Sequence, residues 1–206
     1  MLNLNKVELT KKGQSINLVK SNQPIGEVTV NLNWNQQPEK KKGLLSSILG
    51  KTKGIDLDLG CLYELSNGDK GCVQALGNSF GSYNARPFIQ LDGDDRTGAV
   101  SGGENIRING NRVSDIKRLV VFAFIYEGAT NWAQANGVVT LKYPGGNDIE
   151  VRLDDHRSNK GMCAIAMIEN IKNETFKIER LVEYFNGHRE LDKAYGWGMS
   201  WQAGSK

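Results

Sequence analysis

Ile55-Asp56-Leu57-Asp58-Leu59-Gly60-Cys61-Leu62-Tyr63-Glu64-Leu65 reads as an extended strand. Ile55, Leu57, Leu59, Cys61 and Tyr63 fall on one face by the two-residue period of a β-strand. Asp56 and Asp58 then share the opposite face, about 7 Å apart by the strand rise. Ser66-Asn67-Gly68-Asp69 follows with the Asn-Gly signal of a hairpin turn. Residues 71–76 are the expected return strand.

Working outward, residues 27–34 alternate as cleanly. Val28, Val30, Leu32 and Trp34 share one face, which predicts a strand packed on one side. Residues 4–20 read as two short strands around Lys11-Lys12-Gly13-Gln14. Downstream, Phe88-Ile89-Gln90-Leu91 is a short strand, and Ile106 and Ile108 alternate in another. Leu119-Val120-Val121-Phe122-Ala123-Phe124-Ile125 is a continuous apolar run, the pattern of a central strand buried on both faces. Further strands are expected at 137–143, 149–153, 162–168, 176–184 and 195–201. Residues 177–184 also fit a helical period, through Ile178, Leu181, Val182 and Phe185, but strand is preferred.

Short strands separated by turn signals predict an all-β fold, a two-sheet antiparallel β-sandwich of about ten strands. Residues 1–206 read as a single domain of this kind, with a long lysine-rich loop inserted at about 36–54. That insertion joins Lys40-Lys41-Lys42 to Leu44-Leu45-Ser46-Ser47-Ile48-Leu49. It reads as a loop with a locally packed leucine cluster, or as an element at 40–51 that docks on a partner groove or membrane surface.

The composition excludes several classes. With 26 Lys and Arg against 23 acidic residues, the net charge of +3 is too balanced to argue for nucleic acid. The 24 glycines and 4 prolines suit a fold of many tight turns. No apolar run reaches the roughly 20 residues of a membrane helix, and Met1-Leu2-Asn3-Leu4 lacks the layout of a secretory signal. Cys61, Cys72 and Cys163 form an odd set without metal-type spacing, so reduced thiols in a cytoplasmic protein are expected.

The candidate chemistry lies in Asp92-Gly93-Asp94-Asp95-Arg96-Thr97-Gly98. Carboxylates this close repel one another unless positive charge lies between them. If this loop meets Asp56 and Asp58 in space, then Asp56, Asp58, Asp94 and Asp95, with Asp92 and Glu104 in addition, offer a shell of hard oxygens. Such a shell suits Ca²⁺ better than Mg²⁺, which keeps a tight octahedron and its waters. Zn²⁺ is disfavoured because no cysteine or histidine clusters nearby. Two metal-free readings compete: Asp92-Gly93-Asp94 as a plain turn beside a solvated strand face, and Arg96 neutralising the acids by bidentate pairing.

Asp56-Leu57-Asp58-Leu59, Gly93-Asp94-Asp95-Arg96-Thr97-Gly98 and Arg118-Leu119-Val120-Val121-Phe122 together resemble the TerD domain of bacterial tellurium resistance and stress-response proteins. Tyr184-Phe185-Asn186-Gly187-His188 and Ala194-Tyr195-Gly196-Trp197-Gly198 look more like its TerA branch. The resemblance implies a two-sheet sandwich that binds one or two Ca²⁺ ions through acidic loops at one end. By resemblance, Asp56 and Asp58 match the family's Asp-Leu-Asp ligands, Asp94 and Asp95 its Gly-Asp-Asn segment, and Asn78 a position in an Asn-Asn pair. The chain departs from the family after Thr97-Gly98. Residues 99–105 carry one carboxylate, Glu104, where an Asp- and Glu-rich run is usual; fewer charged ligands mean weaker binding. The implied role is a non-catalytic module of a cytoplasmic stress response. Its implied partners are other Ter proteins, at the inner face of the cytoplasmic membrane.

An enzyme is not expected. His156 and His188 are the only histidines, in separate segments, and no nucleophile–base spacing or phosphate loop can be proposed. Thiolate handling of tellurium oxyanions would need low-pKa surroundings that no cysteine shows in sequence. Tyr195, Trp197 and Trp201 alternate as if along one strand face. They would form part of a sandwich core, or a platform for a sugar or partner.

Overall fold

A computed structural model describes residues 6–18, 24–35, 54–93, 102–153 and 159–202. The insertion at 36–54 lies outside these except for Gly54, so the docking element expected at 40–51 does too. Asp94, Asp95, Arg96 and His156 also lie outside the described residues.

The strands run in chain order as β1 (Lys6–Glu8), β2 (Ser15–Asn17), β3 (Glu27–Asn33), β4 (Asp56–Leu65), β5 (Lys70–Gln74), β6 (Gly81–Ser82) and β7 (Ile89–Leu91). They continue as β8 (Glu104–Asn109), β9 (Ile116–Glu127), β10 (Gly137–Lys142), β11 (Asp148–Leu153), β12 (Met162–Ile171) and β13 (Thr175–Phe185). A short 3-10 helix (Gly110–Asp115), one turn of helix α1 (Trp132–Ala135) and helix α2 (His188–Tyr195) complete the described elements.

Two sheets form. One has seven strands in the order β1-β11-β10-β3-β8-β7-β6, the other six in the order β2-β13-β12-β9-β4-β5. Pairing is antiparallel throughout except between β1 and β11. Two of the thirteen strands are the short pair expected within residues 4–20; β6, only two residues long, is the strand that the sequence reading did not place. So short a strand carries almost no periodic signal.

Alternation sets what faces the core. Val28, Val30 and Leu32 of β3, Ile106 and Ile108 of β8, and Leu57, Leu59 and Cys61 of β4 fill the space between the sheets. Burying each such aliphatic side chain contributes about 1.5–3 kcal/mol. β9 lies between β12 and β4 and is buried on both faces, as its unbroken apolar run predicts. Leu119, Val121 and Ala123 face the inter-sheet core, while Val120 and Phe122 face a second apolar cluster on the outer side of the six-stranded sheet. The ambiguous 176–184 stretch is strand β13.

The expected strand at 195–201 is not formed. Its place is taken by the end of α2 and an irregular segment to residue 202. Gly196 (φ 65°) and Gly198 (φ 72°) lie in the left-handed region, which closes the helix and breaks any extended run. The aromatics therefore do not line the inter-sheet core. Trp197 is buried in the second cluster, with Tyr195 and Trp201 packed against it, outside the six-stranded sheet. Asp58 is fully buried, so the solvated face considered for β4 does not hold for it.

Candidate metal centre at one end of the sandwich

Strand polarity gathers the acidic segments at one end. Leu32 near the end of β3 pairs with Glu104 at the start of β8, and Asp56 at the start of β4 pairs with Glu127 at the end of β9. β7 leaves the sheet through Leu91 to Asp92, whose N–H donates to Asn105 O at 3.0 Å. The turn holding Asn78 follows β5, where Gln74 pairs with Gly60. Gly93 and Gly102, which bracket residues 94–101, sit at this same end.

Glu104 points inward like Ile106 and Ile108 and is 2% exposed. Its Oε2 accepts the backbone N–H of Leu59 at 2.6 Å, linking the seven-stranded sheet to the six-stranded one. Asp58, the preceding residue on β4, is 0% exposed and lies on the outer face of its sheet, opposite Phe124. Two buried carboxylates therefore flank one stretch of β4 backbone. Asp56 is half-buried beside an irregularity in the β4–β9 register. Burying a carboxylate costs several kcal/mol unless donors or positive charge face it.

Local backbone chemistry places these groups. Trp34 Nε1 donates to Ile55 O at 2.8 Å and pins the start of β4. Gly103, at φ 70°, lets the chain turn into β8 against β3; a Cβ there would lie 2.0 Å from Leu32 O. Only glycine fits so close an approach in that conformation.

Two other sequence candidates stand elsewhere at this end. The Asp92 carboxylate lies 3.6 Å from Arg107 Nη1, on the outer face of the seven-stranded sheet. Arg107 also holds Glu27 through Nε and Nη2, at 3.0 and 2.8 Å, and stacks 4.6 Å from the Tyr83 ring centre. The Arg107 hydrogen bond lowers the Glu27 pKa against an opposing effect of burial. Asp92 thus joins a salt-bridge group rather than Asp58 and Glu104. Asn78 is an exposed turn residue at φ 55°, its N–H donating to Ala75 O.

Asp56, Asp58 and Glu104 offer only oxygen donors, which fits a hard cation such as Ca²⁺ in kind. Among the described residues no group of three or more His, Cys, Asp or Glu side chains is arranged to hold a metal ion. A complete shell would draw on residues 94–101.

A second constellation lies on the outer side of the six-stranded sheet, and its aromatic residues were named in the sequence without being placed together. His188, the first residue of α2, lies edge-on to Phe122 and Phe124, with ring centres 5.3 and 5.6 Å away. Its Nε2 is 2.7 Å from Gln74 Oε1, and the Trp201 ring lies 4.8 Å away. Burial lowers the His188 pKa to about 4, so the ring is neutral at physiological pH. What brings these residues together is the pairing of Phe122 and Gln74 across Gly60, and that register is not visible in sequence.

Among the described residues no helix is long and apolar enough to cross a membrane. The chain is 44% identical over its whole length to the tellurium resistance protein TerA of an Alcaligenes species, and spans 60% of that relative. It is 30% identical over 133 residues to the tellurium resistance protein TerX of Serratia marcescens, covering 57% of this chain and 62% of that one. A solved structure of a homologue of the telluride resistance protein TerD from Streptomyces coelicolor superposes with a TM-score of 0.56 at 17% identity. It covers 82% of this chain and 95% of its own. The TerD domain model matches residues 6–178, so this chain belongs to the TerD family.

Proposed function

We propose that this chain is a calcium-binding, non-catalytic module of tellurium resistance and general stress response. The observation that carries the reading is the pair of buried carboxylates, Asp58 and Glu104, on either side of Leu59. Glu104 follows closely on Gly102, and the sequence just before it, 94–101, carries Asp94 and Asp95. The resistance role is supported by the relatives' names. Bound calcium would neutralise the buried acids and fix the loops at this end as a surface for partners. Those partners would be other Ter proteins, at the inner face of the cytoplasmic membrane.

Thermal unfolding in calcium tests this. A ligand of the native state alone stabilises it by about 2.7 kcal/mol at a hundredfold excess over Kd. For a chain of this size that raises Tm by about 5–10 °C. Millimolar Ca²⁺ should give such a rise, Mg²⁺ much less, and Asp58→Asn should remove it. An unchanged Tm in wild type, with no calcium heat by titration calorimetry, would favour a metal-free scaffold docking through residues 40–51.

A further inference from the structure

We infer that Asn186-Gly187 is a site of spontaneous deamidation: the Gly187 backbone nitrogen displaces the Asn186 side-chain amide, and the product loosens residues 187–202 from the outer side of the six-stranded sheet. The inference is independent of the calcium reading.

The chain holds four Asn-Gly steps, at Asn67, Asn109, Asn136 and Asn186. Glycine has no Cβ, so its nitrogen approaches the preceding side-chain carbonyl with least hindrance. The fold treats the four steps differently. Gly68 N–H donates to Leu65 O at 3.0 Å, and Gly110 N–H to Gly26 O at 2.8 Å. The asparagine carbonyls of these two steps are engaged as well. Asn67 Oδ1 accepts from Asp69 N–H at 3.1 Å, and Asn109 Oδ1 from Asn111 N–H at 3.2 Å. Gly137 is buried at the start of β10, paired with Leu153. Asn186, by contrast, is exposed, and Gly187 is the N-cap of α2. Among the described residues nothing accepts the Gly187 N–H and nothing donates to Asn186 Oδ1. The Asn186 side chain is held only through its amide nitrogen, which donates to Glu190 Oε1 at 2.7 Å. The reacting nitrogen and carbonyl are thus uncommitted at this step alone of the three with exposed or half-buried glycines.

The reaction needs only water. The Gly187 nitrogen bonds to Asn186 Cγ, the Cγ–Nδ2 bond breaks, and the Gly187 proton leaves with Nδ2 as ammonia. Water then opens the cyclic imide at either carbonyl, leaving aspartate or isoaspartate at position 186. Either product removes the donor to Glu190 and sets a second carboxylate against the first, and like charges so close repel. Isoaspartate also inserts an extra carbon into the main chain between β13 and α2. His188 lies just beyond, seated by its 2.7 Å contact with Gln74 and by the rings of Phe122 and Phe124. Trp201 packs on His188 in turn. The altered link is therefore the one that aims the whole segment at its seat.

The test ages the full wild-type chain in mildly alkaline buffer. Peptide mass spectrometry reads the amide-to-acid mass gain at each step, and an isoaspartyl methyltransferase marks isoaspartate. Asn186 should convert faster than Asn67 and Asn109 by about fivefold or more, the factor set by a glycine N–H bond of about 1 kcal/mol. Trypsin then compares Lys193 on α2 with Lys172 in the β12–β13 turn, both exposed. Ageing should raise the Lys193 to Lys172 cleavage ratio by about fivefold or more, the worth of the His188–Gln74 hydrogen bond. Asn186→Gln, a change at an exposed position, should keep the fresh ratio when aged alike. Conversion of Asn186 no faster than Asn67 and Asn109 overturns the site. An unchanged ratio in converted wild type, or an equal rise in aged Asn186→Gln, overturns the loosening.

Discussion

Glu104 Oε2 takes the Leu59 backbone N–H at 2.6 Å, so a carboxylate from one sheet completes the hydrogen bonding of a strand in the other. Removing that acceptor leaves a buried amide unsatisfied, which costs about 1–3 kcal/mol. Glu104→Ala should therefore lower stability in urea by this amount in the absence of calcium. Glu104→Gln keeps an oxygen at the same reach and should lose less. Equal midpoints for wild type and Glu104→Ala would show that the bond contributes nothing net.

The neutral His188 makes stability depend on pH with a definite sign. Its folded pKa is lowered to about 4 from an ordinary 6.5, chiefly by burial. The unfolded chain thus takes up this proton first as pH falls. The contribution is whole above about pH 6.5, shrinks from there to about pH 4 and is flat below. Carboxylates such as Glu64 also titrate at the lower end. Burial pushes the Glu64 pKa up, but hydrogen bonds from Lys117 and Arg118 outweigh it and leave the pKa lowered. Subtracting the urea stability of His188→Gln from that of wild type isolates the histidine. The difference should narrow as pH falls from 6.5 to 4, and a flat difference would refute a buried neutral ring.

The cysteines should be unreactive in the native protein. Cys61 is buried and desolvation pushes its pKa up to about 12 from 9.0; the Cys72 pKa is also raised by burial, then by Cys61. A three-unit rise lowers the thiolate fraction at pH 8 roughly a thousandfold, and the thiolate is the nucleophile. Iodoacetamide labelling of Cys61, followed by mass spectrometry, should be slower than in urea by at least this factor. Fast native labelling would reopen thiol chemistry with tellurium oxyanions.

How far the fold was legible depended on where periodicity survived. β3, β4 and β9 could be drawn from their alternation or unbroken apolar run, because burial on one or both faces writes itself into residue order. The acids at the start of β4 were visible for the same reason. The burial of Asp58 was not, since it depends on the pairing of β4 with β9, about 60 residues on, which no local pattern encodes. The link between Asp92 and Arg107 depends on the β7–β8 register, which no local pattern encodes. Tyr195, Trp197 and Trp201 imitated a strand because glycines separate them, and those glycines turn the chain instead of extending it.

The first two strands part company: β1 joins the seven-stranded sheet beside β11, and β2 joins the six-stranded sheet beside β13. Lys6 pairs with Asp148 and Asn17 with Lys177. During synthesis β1 must wait until residues 148–150 are made and β2 until residues 177–179 before their neighbours exist. Non-local pairing of this kind slows folding, and strand edges left bare in the meantime are prone to aggregate. Strands β1 and β2 thus stay bare longer than their sequence neighbours, and their docking adds one edge to each sheet late in folding.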